Sequence, residues 1–540
     1  MKLSKYICGL AVGALALTST SCGDDFLDRT PEGDYNIDNY YKSDAALDAA
    51  SAPLYNRAWF FYNNNLGLAG GSMRANDCYN PSFMVPFTCF QVTAMDTYLT
   101  EGWYGLYTVV IMANSVIDGA MNRAEGCSDV AIRRNVAEAR LMRGVAYFYM
   151  LRMWGSVILS ENNEAISQNP NVPRHREQDV LEFIIRDFAY AAENLPATPV
   201  AQGRATKWAA EALLAKAYLC RSGWGKSTRD ASDLELAKHY ALDVITKSGR
   251  NLLDDYANLF KYKYNNNEES LLAMQWVPLG SWQEQNTIIS TLTFNGGEEL
   301  LGSGTSAYGV WGGPLATLDM LKQYEEGDTE RLDACFFTAG THYDYINIAN
   351  GGYDYTNTAS FIKKGVLGQN GDDNDNKIAT MNSPLNTYII RLADTYLTYA
   401  EACLGNDEVL AGGDGLDYYN KVRERAGLAP KASITLDDII RERRCEFGGE
   451  WCNWYDMVTW YMWKPDKMLD YFRNQQRGVY CDDVKKSDDG KSLVFNEEMN
   501  VYPSQTIEIN SGNVFFPYPE TDVIQNPMLK EAPQPYNFKD

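Results

Sequence analysis

The sequence predicts a mainly α-helical protein, in which tetratricopeptide-like paired helices form a scaffold that carries irregular, loop-rich inserts and a few short strands. Three observations predict this fold class: long segments with a helical hydrophobic period, glycines that end them, and intervening stretches rich in Gly, Asn, Asp, Thr and Tyr. The helical segments follow no clean 34-residue period, so the sequence favours helix pairs over a regular repeat array.

Two strong helical segments lie in the first half of the chain. In "NVAEARLMRGVAYFYMLRMWG", Gly155 provides the stop, and one apolar stripe contains Ala137, Leu141, Val145, Phe148 and Leu151. In "GRATKWAAEALLAKAYLCRSG", Thr206 is placed to cap the helix, and small side chains allow a neighbouring helix to approach closely. Both segments are therefore predicted to pack against other helices.

Three further helices are predicted in the second half. "NTYIIRLADTYLTYAEACLGN" places Tyr388, Leu392, Tyr396, Tyr399 and Cys403 on one face and ends at Gly405. "GLDYYNKVRERAGL" follows and stops at Gly427. In "TLDDIIRERRCEFGGE", Thr435 and Asp438 form the Ser/Thr-x-x-Asp/Glu pattern of a helix start. This alternation of helix and glycine stop is typical of paired-helix units.

Loop-rich composition separates these helical zones. Residues 60–100, 262–385 and 480–520 contain few long amphipathic runs. Long loops in a compact protein usually carry function, so we expect the ligand site there.

The start of the chain has the pattern of an export signal. Lys2 and Lys5 precede an apolar run over residues 6–17, which is too short for a membrane-spanning helix of roughly 20 residues. Small residues then lead to Cys22, as in a bacterial lipobox, so Cys22 is the expected lipidation site. We expect a signal peptide over 1–21, a lipidated tether over 22–45, an N-terminal helical region over 46–260 and a C-terminal, loop-rich ligand-binding region over 261–540.

Composition excludes several function classes. The formal net charge is −23, which argues against nucleic acid and anionic lipid as partners, since both require a positive face. The chain has only three histidines, far apart in sequence, so a histidine-based metal or catalytic cluster is not expected. The acidic run "GDDNDNK" (371–377) lacks the glycine and glutamate spacing of a calcium loop and is interpreted as a solvated loop. We expect no cofactor.

Several motifs, taken in order, carry a resemblance to a known family. They are "CGDDFLDRTP", "EARLMRGVAYFYMLRMWG", "GRATKWAAEALLAKAYL", "RLADTYLTYAEA", "NKVRERAGL", "ERRCEFGGE" and "FFPYPETDVIQNP". Over almost the whole mature chain, this set resembles the SusD/RagB family of outer-membrane nutrient-binding lipoproteins. The resemblance implies display on the outer face of the outer membrane, with Asp24 and Asp25 as an export address. It also implies a SusC-like TonB-dependent transporter as partner and a glycan, or in the RagB branch a peptide, as ligand.

Glycan recognition requires flat aromatic faces that stack on sugar rings, with polar groups nearby for the hydroxyls. Trp282, Tyr308 and Trp311 are the preferred stacking candidates, because Gly, Ser and Gln surround them. The other ligand-binding candidates are Trp276, Arg74, Asn76, Asp77 and Tyr79. For each aromatic candidate, burial in the core is the alternative; for Arg74, Asn76 and Asp77, it is a turn held by side-chain hydrogen bonds.

Other conspicuous residues are interpreted as structural. The charged run from Arg441 to Glu450 alternates in sign and is expected to form an ion-pair network. Trp103, Trp154, Trp454 and Trp460 are expected in the core. A non-catalytic glycan receptor is the leading interpretation. An oligopeptide receptor, a surface glycosidase with two carboxylates and a plain scaffold stay open.

Overall fold

The computed structural model describes residues 41–287, 313–369, 371–379 and 382–538, and its described part is mainly helical. We number the α-helices in chain order: α1 Asp44–Ser51, α2 Val85–Thr88, α3 Thr97–Asn122, α4 Asp129–Trp154, α5 Asn163–Gln168, α6 Glu177–Asn194, α7 Lys207–Gly223, α8 Ala231–Lys247, α9 Leu318–Leu321, α10 Thr329–Cys335, α11 Leu392–Leu404, α12 Asp414–Arg425, α13 Leu436–Phe447, α14 Asn453–Trp463, α15 Pro465–Asn474 and α16 Glu520–Gln525.

The long helices pack against their neighbours in the chain, which confirms the predicted mainly α, paired-helix scaffold. Helix α3 packs on α4, α4 on α6, α6 on α7, and α7 on α8. Helix α8 also packs on α11, which in turn packs on α12, so the two halves of the chain share one scaffold. The Ser128 side chain caps α4, and Gly155 ends it with φ 71°. Thr435 and Asp438 form the predicted capping box of α13.

Two of the sequence-based expectations about helix starts are wrong. Residues 387–391 form a strand, and the helix begins only at Leu392, so Tyr388 does not lie on a helix face. The run "TYIIR" contains β-branched and aromatic residues that favour a strand. Thr206 does hold the N-cap position of α7, but its side chain makes no capping hydrogen bond.

The strands form small antiparallel pairs. They are β1 Cys78–Tyr79, β2 Ser270–Met274, β3 Leu315–Ala316, β4 Thr341–Tyr343, β5 Tyr353–Tyr355, β6 Thr387–Arg391, β7 Tyr480–Cys481, β8 Val484–Lys486, β9 Leu493–Phe495 and β10 Asn500–Val501. The pairs are β1 with β3, β2 with β6, β4 with β5, β7 with β10 and β8 with β9. The β2–β6 pair joins segments of the C-terminal region that are more than 100 residues apart in the sequence.

A π-helix over Tyr62–Met73 occupies part of the predicted loop at 60–100. Its glycines permit close packing: a Cβ on Gly71 would lie 1.9 Å from the Trp451 carbonyl oxygen. On the facing helix α3, a Cβ on Gly102 would lie 2.2 Å from the Leu66 Cβ. π-helical segments are rare and often occur at functional sites.

Buried charges hold the second half together. The Arg391 guanidinium lies 2.6 Å from the Glu446 carboxylate and 2.9 Å from Glu450, and Arg331 lies 2.6 Å from Glu442. Burial opposes ionisation, yet the surrounding arginines hold the pKa of Glu446 well below its usual range. The charged run at 441–450 therefore forms the predicted structural network.

The remaining expectations about the interior hold as well. Trp103, Trp154, Trp454 and Trp460 are buried, as predicted. The nine cysteines among the described residues are all free thiols. In the same part of the chain, we find no helix with the length and apolar character needed to span a membrane.

Candidate functional site

Trp282 is the predicted ligand-binding residue that the structure places at the surface. It opens a short 3₁₀ turn, Trp282–Glu284, and 53% of the residue is exposed to solvent. The Ser281 N–H donates to Glu284 Oε2 at 3.1 Å, and the Val277 N–H donates to the Glu284 carbonyl oxygen at 2.8 Å. These bonds close a compact loop, so the indole is held on a defined turn.

Trp282 ends a continuous row of aromatic rings. Its ring centroid lies 5.6 Å from that of Phe60, which lies 5.5 Å from Phe61, and Phe61 lies 5.2 Å from Tyr104 of α3. We call Phe60, Phe61, Tyr104 and Trp282 the aromatic row. Its two ends are the most open, since Tyr104 is 59% exposed, whereas Phe61 is half-buried and Phe60 is buried. The exposed rings at its two ends make the row a candidate binding surface.

A network of amide side chains anchors the loop beneath Trp282. Asn63 of the π-helix donates to Asn286 Oδ1 at 3.1 Å, and Asn286 donates to Thr387 Oγ1 at 3.3 Å. The Trp276 indole N–H also donates to Thr387 Oγ1, at 3.0 Å. Because Phe60 and Phe61 directly precede the π-helix, this network fixes the loop and the aromatic row relative to each other.

Polar groups flank the row. Arg57 is exposed, Gln283 directly follows Trp282 and is half-buried, and the half-buried Asn65 donates to the Phe61 carbonyl oxygen at 2.8 Å. Hydrogen bonds from Ser281, assisted by the charge of Arg57, lower the pKa of Glu284. Rings next to planar polar groups suit a ligand with alternating apolar faces and hydroxyls, such as a pyranose.

The structure separates Trp276 from this surface. Trp276 is only 4% exposed, and its ring packs in the core beneath the loop, so it supports Trp282 but offers no face to a surface ligand. The prediction of direct contact does not agree with this position. Tyr308 and Trp311 lie outside the described residues.

The motif at 74–79 is also internal. Arg74, Asn76, Asp77 and Tyr79 are all buried, which does not agree with a role as surface ligand contacts. Asn76 has a left-handed backbone with φ 67°, and its Oδ1 accepts from the Gly478 N–H at 2.9 Å. Asp77 accepts from Asn453 Nδ2 at 2.9 Å. The turn alternative describes this motif better, because the side chains hold segments that are distant in sequence.

Tyr104 and Phe61 were missed by the sequence interpretation. Tyr104 lies on the exposed stripe of α3 together with Ile111 and Ser115. The surrounding sequence "EGWYGLYTVVIMANSV" is apolar on most sides, so no polar face distinguished Tyr104 from buried Trp103. The adjacent pair Phe60 and Phe61 before an asparagine run was the available signal.

A small cavity borders the same anchor. Its lining includes Asn386 and Thr387 of the loop support, Trp451, and the Lys364–Glu450 ion pair at 2.8 Å. Glu450 also pairs with Arg391 at 2.9 Å, so this wall belongs to the structural charge network. Among the described residues, Glu450 is the only carboxylate in the lining of this cavity.

The acidic loop at 371–377 is a structural turn in the described residues. The Asp372 carboxylate accepts backbone N–H bonds from Asn347, Ile348 and Gln369, each at 2.8 Å. Among the residues that the structure describes, no group of three His, Cys, Asp or Glu side chains is arranged to hold a metal ion. The acidic residues therefore build the loop.

Two family models match the chain. One, described as the SusD family, matches residues 264–534, and one described as "Starch-binding associating with outer membrane" matches residues 25–219. A SusD-like protein of Bacteroides ovatus is 54% identical over 544 residues, which cover 98% of this chain and 98% of the relative.

Solved structures agree with this relationship. A crystal structure with xylogluco-oligosaccharide is 54% identical, with a TM-score of 0.87, and the match covers 92% of this chain and 100% of that one. A laminarin-binding SusD-like protein is 21% identical, with a TM-score of 0.64, and the match covers 90% of this chain and 98% of that one. At this lower identity, the likeness concerns the fold alone.

Proposed function

The chain belongs to the SusD family, and we propose from this membership and from the exposed aromatic row that it binds a neutral glycan. The main support for the proposal is the aromatic row. Trp282 and Tyr104 present exposed rings at its two ends, on elements held by buried hydrogen bonds. Stacking of sugar rings on these two residues would bury apolar area without any charge on the ligand. This suits a protein with a net charge of −23.

We propose xyloglucan oligosaccharides as the ligand class. The support is the structure with xylogluco-oligosaccharide, which is 54% identical to this chain across nearly its whole described length. Tyr308 and Trp311, which lie outside the described residues, remain proposed partners of Trp282 in stacking. Trp276 is proposed as a positioning residue, because its indole N–H fixes Thr387 beneath the loop.

The test is calorimetric titration of the purified protein with xylogluco-oligosaccharides, with a maltooligosaccharide series and with a peptide digest. We expect saturable binding to the xylogluco-oligosaccharides alone. Binding only to peptides would overturn the proposal in favour of an oligopeptide receptor. Steady release of shorter glycans would instead reveal a glycosidase, whereas we propose capture without turnover.

We further propose that the protein is a lipoprotein on the outer face of the outer membrane, anchored through Cys22, and that it delivers its ligand to a SusC-like TonB-dependent transporter. The support is the lipobox-like sequence before Cys22, together with the family description that names association with the outer membrane. Cys22→Ala should abolish incorporation of labelled fatty acid and release the protein from the membrane fraction. Recovery of an acylated Cys22→Ala protein would contradict the anchor.

For the transporter, we expect the two proteins to co-purify from detergent-solubilised outer membranes, and separate elution of the two would contradict the partnership.

A further inference from the structure

Two arginines lie buried against one phenylalanine ring, away from the aromatic row. Arg74 is 1% exposed and Arg477 is 3% exposed. The Arg74 Cζ lies 3.4 Å from the centroid of the Phe90 ring, and the Arg477 Cζ lies 4.5 Å from it. Two positive charges therefore share one desolvated aromatic environment, which is costly unless negative charge compensates them.

Among the described residues, neither guanidinium forms an ion pair, although the charges of Asp319 and Asp77 act on Arg477 from a distance. Within the described residues, no carboxylate oxygen comes within 4.0 Å of either one. Arg74 donates to the carbonyl oxygens of Phe87 (3.2 Å) and Asn513, and its Nε has no partner. Arg477 donates to the Thr88 carbonyl (2.8 Å), to Gln475 Oε1 (2.5 Å) and to the Arg74 carbonyl. All of these acceptors are neutral, in contrast to the carboxylates around Arg391.

Burial lowers the pKa of both arginine side chains. Burial, with repulsion from Arg477, lowers the pKa of Arg74 well below its ordinary value. Burial is also the main cause that lowers the pKa of Arg477, to about 9. Phe90 itself adopts a left-handed backbone, with φ 58°, which is unusual for a bulky residue. Strained backbone of this kind persists where the surrounding structure requires it and is frequent at ligand sites.

Arg74 and Phe90 form one wall of an open cavity. The remaining wall includes Val92, Trp154, Asn513 and Tyr518, and no acidic residue lines the cavity in the part of the chain described. A third cation lies close by, since Arg174 donates to the Tyr518 hydroxyl at 3.0 Å. In a chain with 71 acidic and 48 basic residues, a cavity bordered by arginine and by no carboxylate is electrostatically distinct.

We propose that this cavity binds a carboxylate or another small oxyanion, with Arg74 as its principal contact. The Nε–H without a partner supplies a donor, and an anion would compensate the charge that the protein leaves unpaired. Two sources share this chemistry: a free organic anion, and a uronic acid residue of an acidic glycan. The anion site is separate from the aromatic row, so it would function whether or not the row binds a neutral glycan.

The test is the thermal unfolding midpoint of the full chain as a function of sodium acetate, sodium glucuronate and glucose, at ionic strength held constant with sodium chloride. A ligand that binds only the folded state raises the midpoint in a saturable way. We expect a saturable rise with both carboxylates and none with glucose. A tenfold lower half-saturating concentration for glucuronate than for acetate would identify the uronic acid source, and equal values would identify a free anion.

Variants at the cavity distinguish anion binding at this site from a general effect of salt on stability. Arg74→Gln should weaken the carboxylate dependence at least tenfold. Because this variant removes a buried side chain, a second pair is needed: Val92→Asp places a carboxylate on the cavity wall and should abolish the dependence, whereas Val92→Asn should retain it. The proposal is overturned if wild type shows no saturable rise, or if Val92→Asp responds to carboxylates as Val92→Asn does.

Discussion

Trp276 and Trp282 lie six residues apart in one segment and have opposite environments. Trp276 is buried, and its N–H donates to Thr387 Oγ1 at 3.0 Å, whereas Trp282 is half exposed on the turn above it. Tyr79 and Tyr104 repeat the contrast, since the first is buried and the second is exposed on α3. Residues of the same type are therefore divided into buried support and exposed surface by partners that are distant in the sequence.

The largest effect should come from the buried tryptophan. Trp276→Ala is expected to lower the free energy of unfolding by about 3–5 kcal/mol, because it leaves a cavity and removes the donor to Thr387. Urea unfolding followed by circular dichroism measures the change. The matched variant Trp282→Ala should change the same quantity by less than about 0.5 kcal/mol. Equal losses for the two variants would remove the distinction between them.

The buried carboxylate of Asp77 should make the stability of the protein depend on pH. Burial, only partly offset by Arg444 and Asn453, raises the pKa of Asp77 to about 6. The folded state therefore binds a proton more tightly than the unfolded state does, and this contribution to stability is lost as pH rises from about 4 to about 6. A shift of about two units corresponds to about 3 kcal/mol. Between pH 4 and pH 6.5, the free energy of unfolding of wild type should fall by about 3 kcal/mol relative to that of Asp77→Asn, as measured by urea unfolding. Parallel pH profiles for the two proteins would contradict a raised pKa.

The exposed tryptophan should affect binding and leave stability unchanged. Trp282→Ala is expected to weaken binding of xylogluco-oligosaccharides by about 1–3 kcal/mol, by analogy with loss of one base stacked on an aromatic side chain. Calorimetry gives the affinity. Tyr502→Ala, at an exposed aromatic residue of the C-terminal segment, serves as the control and should leave the affinity unchanged. If both variants bind like wild type, Trp282 is not part of the binding surface.

The smallest effect is expected at the other end of the row. Tyr104→Ala should weaken glycan binding by about 0.5–1 kcal/mol, since it removes one exposed ring of the row and leaves the anchored Trp282 turn intact. Ile111→Ala, one heptad further along the same exposed stripe of α3, is the matched control. An equal loss in both variants would indicate a change in α3 as a whole rather than loss of a contact.

Local sequence signals predicted the helical scaffold well. Gly155 ends α4 as predicted, Thr435 and Asp438 form the predicted start of α13, and the alternating charges of α13 implied the ion network that Arg391 and Arg331 complete. The strand at 387–391 was missed because its partner, β2, lies more than 100 residues earlier. Ladder pairing over that distance leaves little trace in the local hydrophobic period.

The candidate site was predictable only in part, for a similar reason. Composition around Trp282 correctly suggested exposure, whereas for Trp276 the choice between ligand contact and core burial stayed open, since its burial depends on contact with Thr387. Arg74 looked like a polar contact, because the sequence shows the charge and not the Phe90 ring beneath it. Burial of single residues in loop-rich segments follows from tertiary contacts, which spacing rules do not contain.

The most direct test of glycan binding on the aromatic row is calorimetric titration of the double variant Trp282→Ala/Tyr104→Ala with xylogluco-oligosaccharide. Both ends of the row are then removed, while the loop anchor of Asn63, Asn286 and Thr387 is kept. We expect binding to fall below detection, with urea unfolding unchanged from wild type. An affinity within twofold of wild type, in a protein that remains folded, would contradict the assignment of the row as the glycan site.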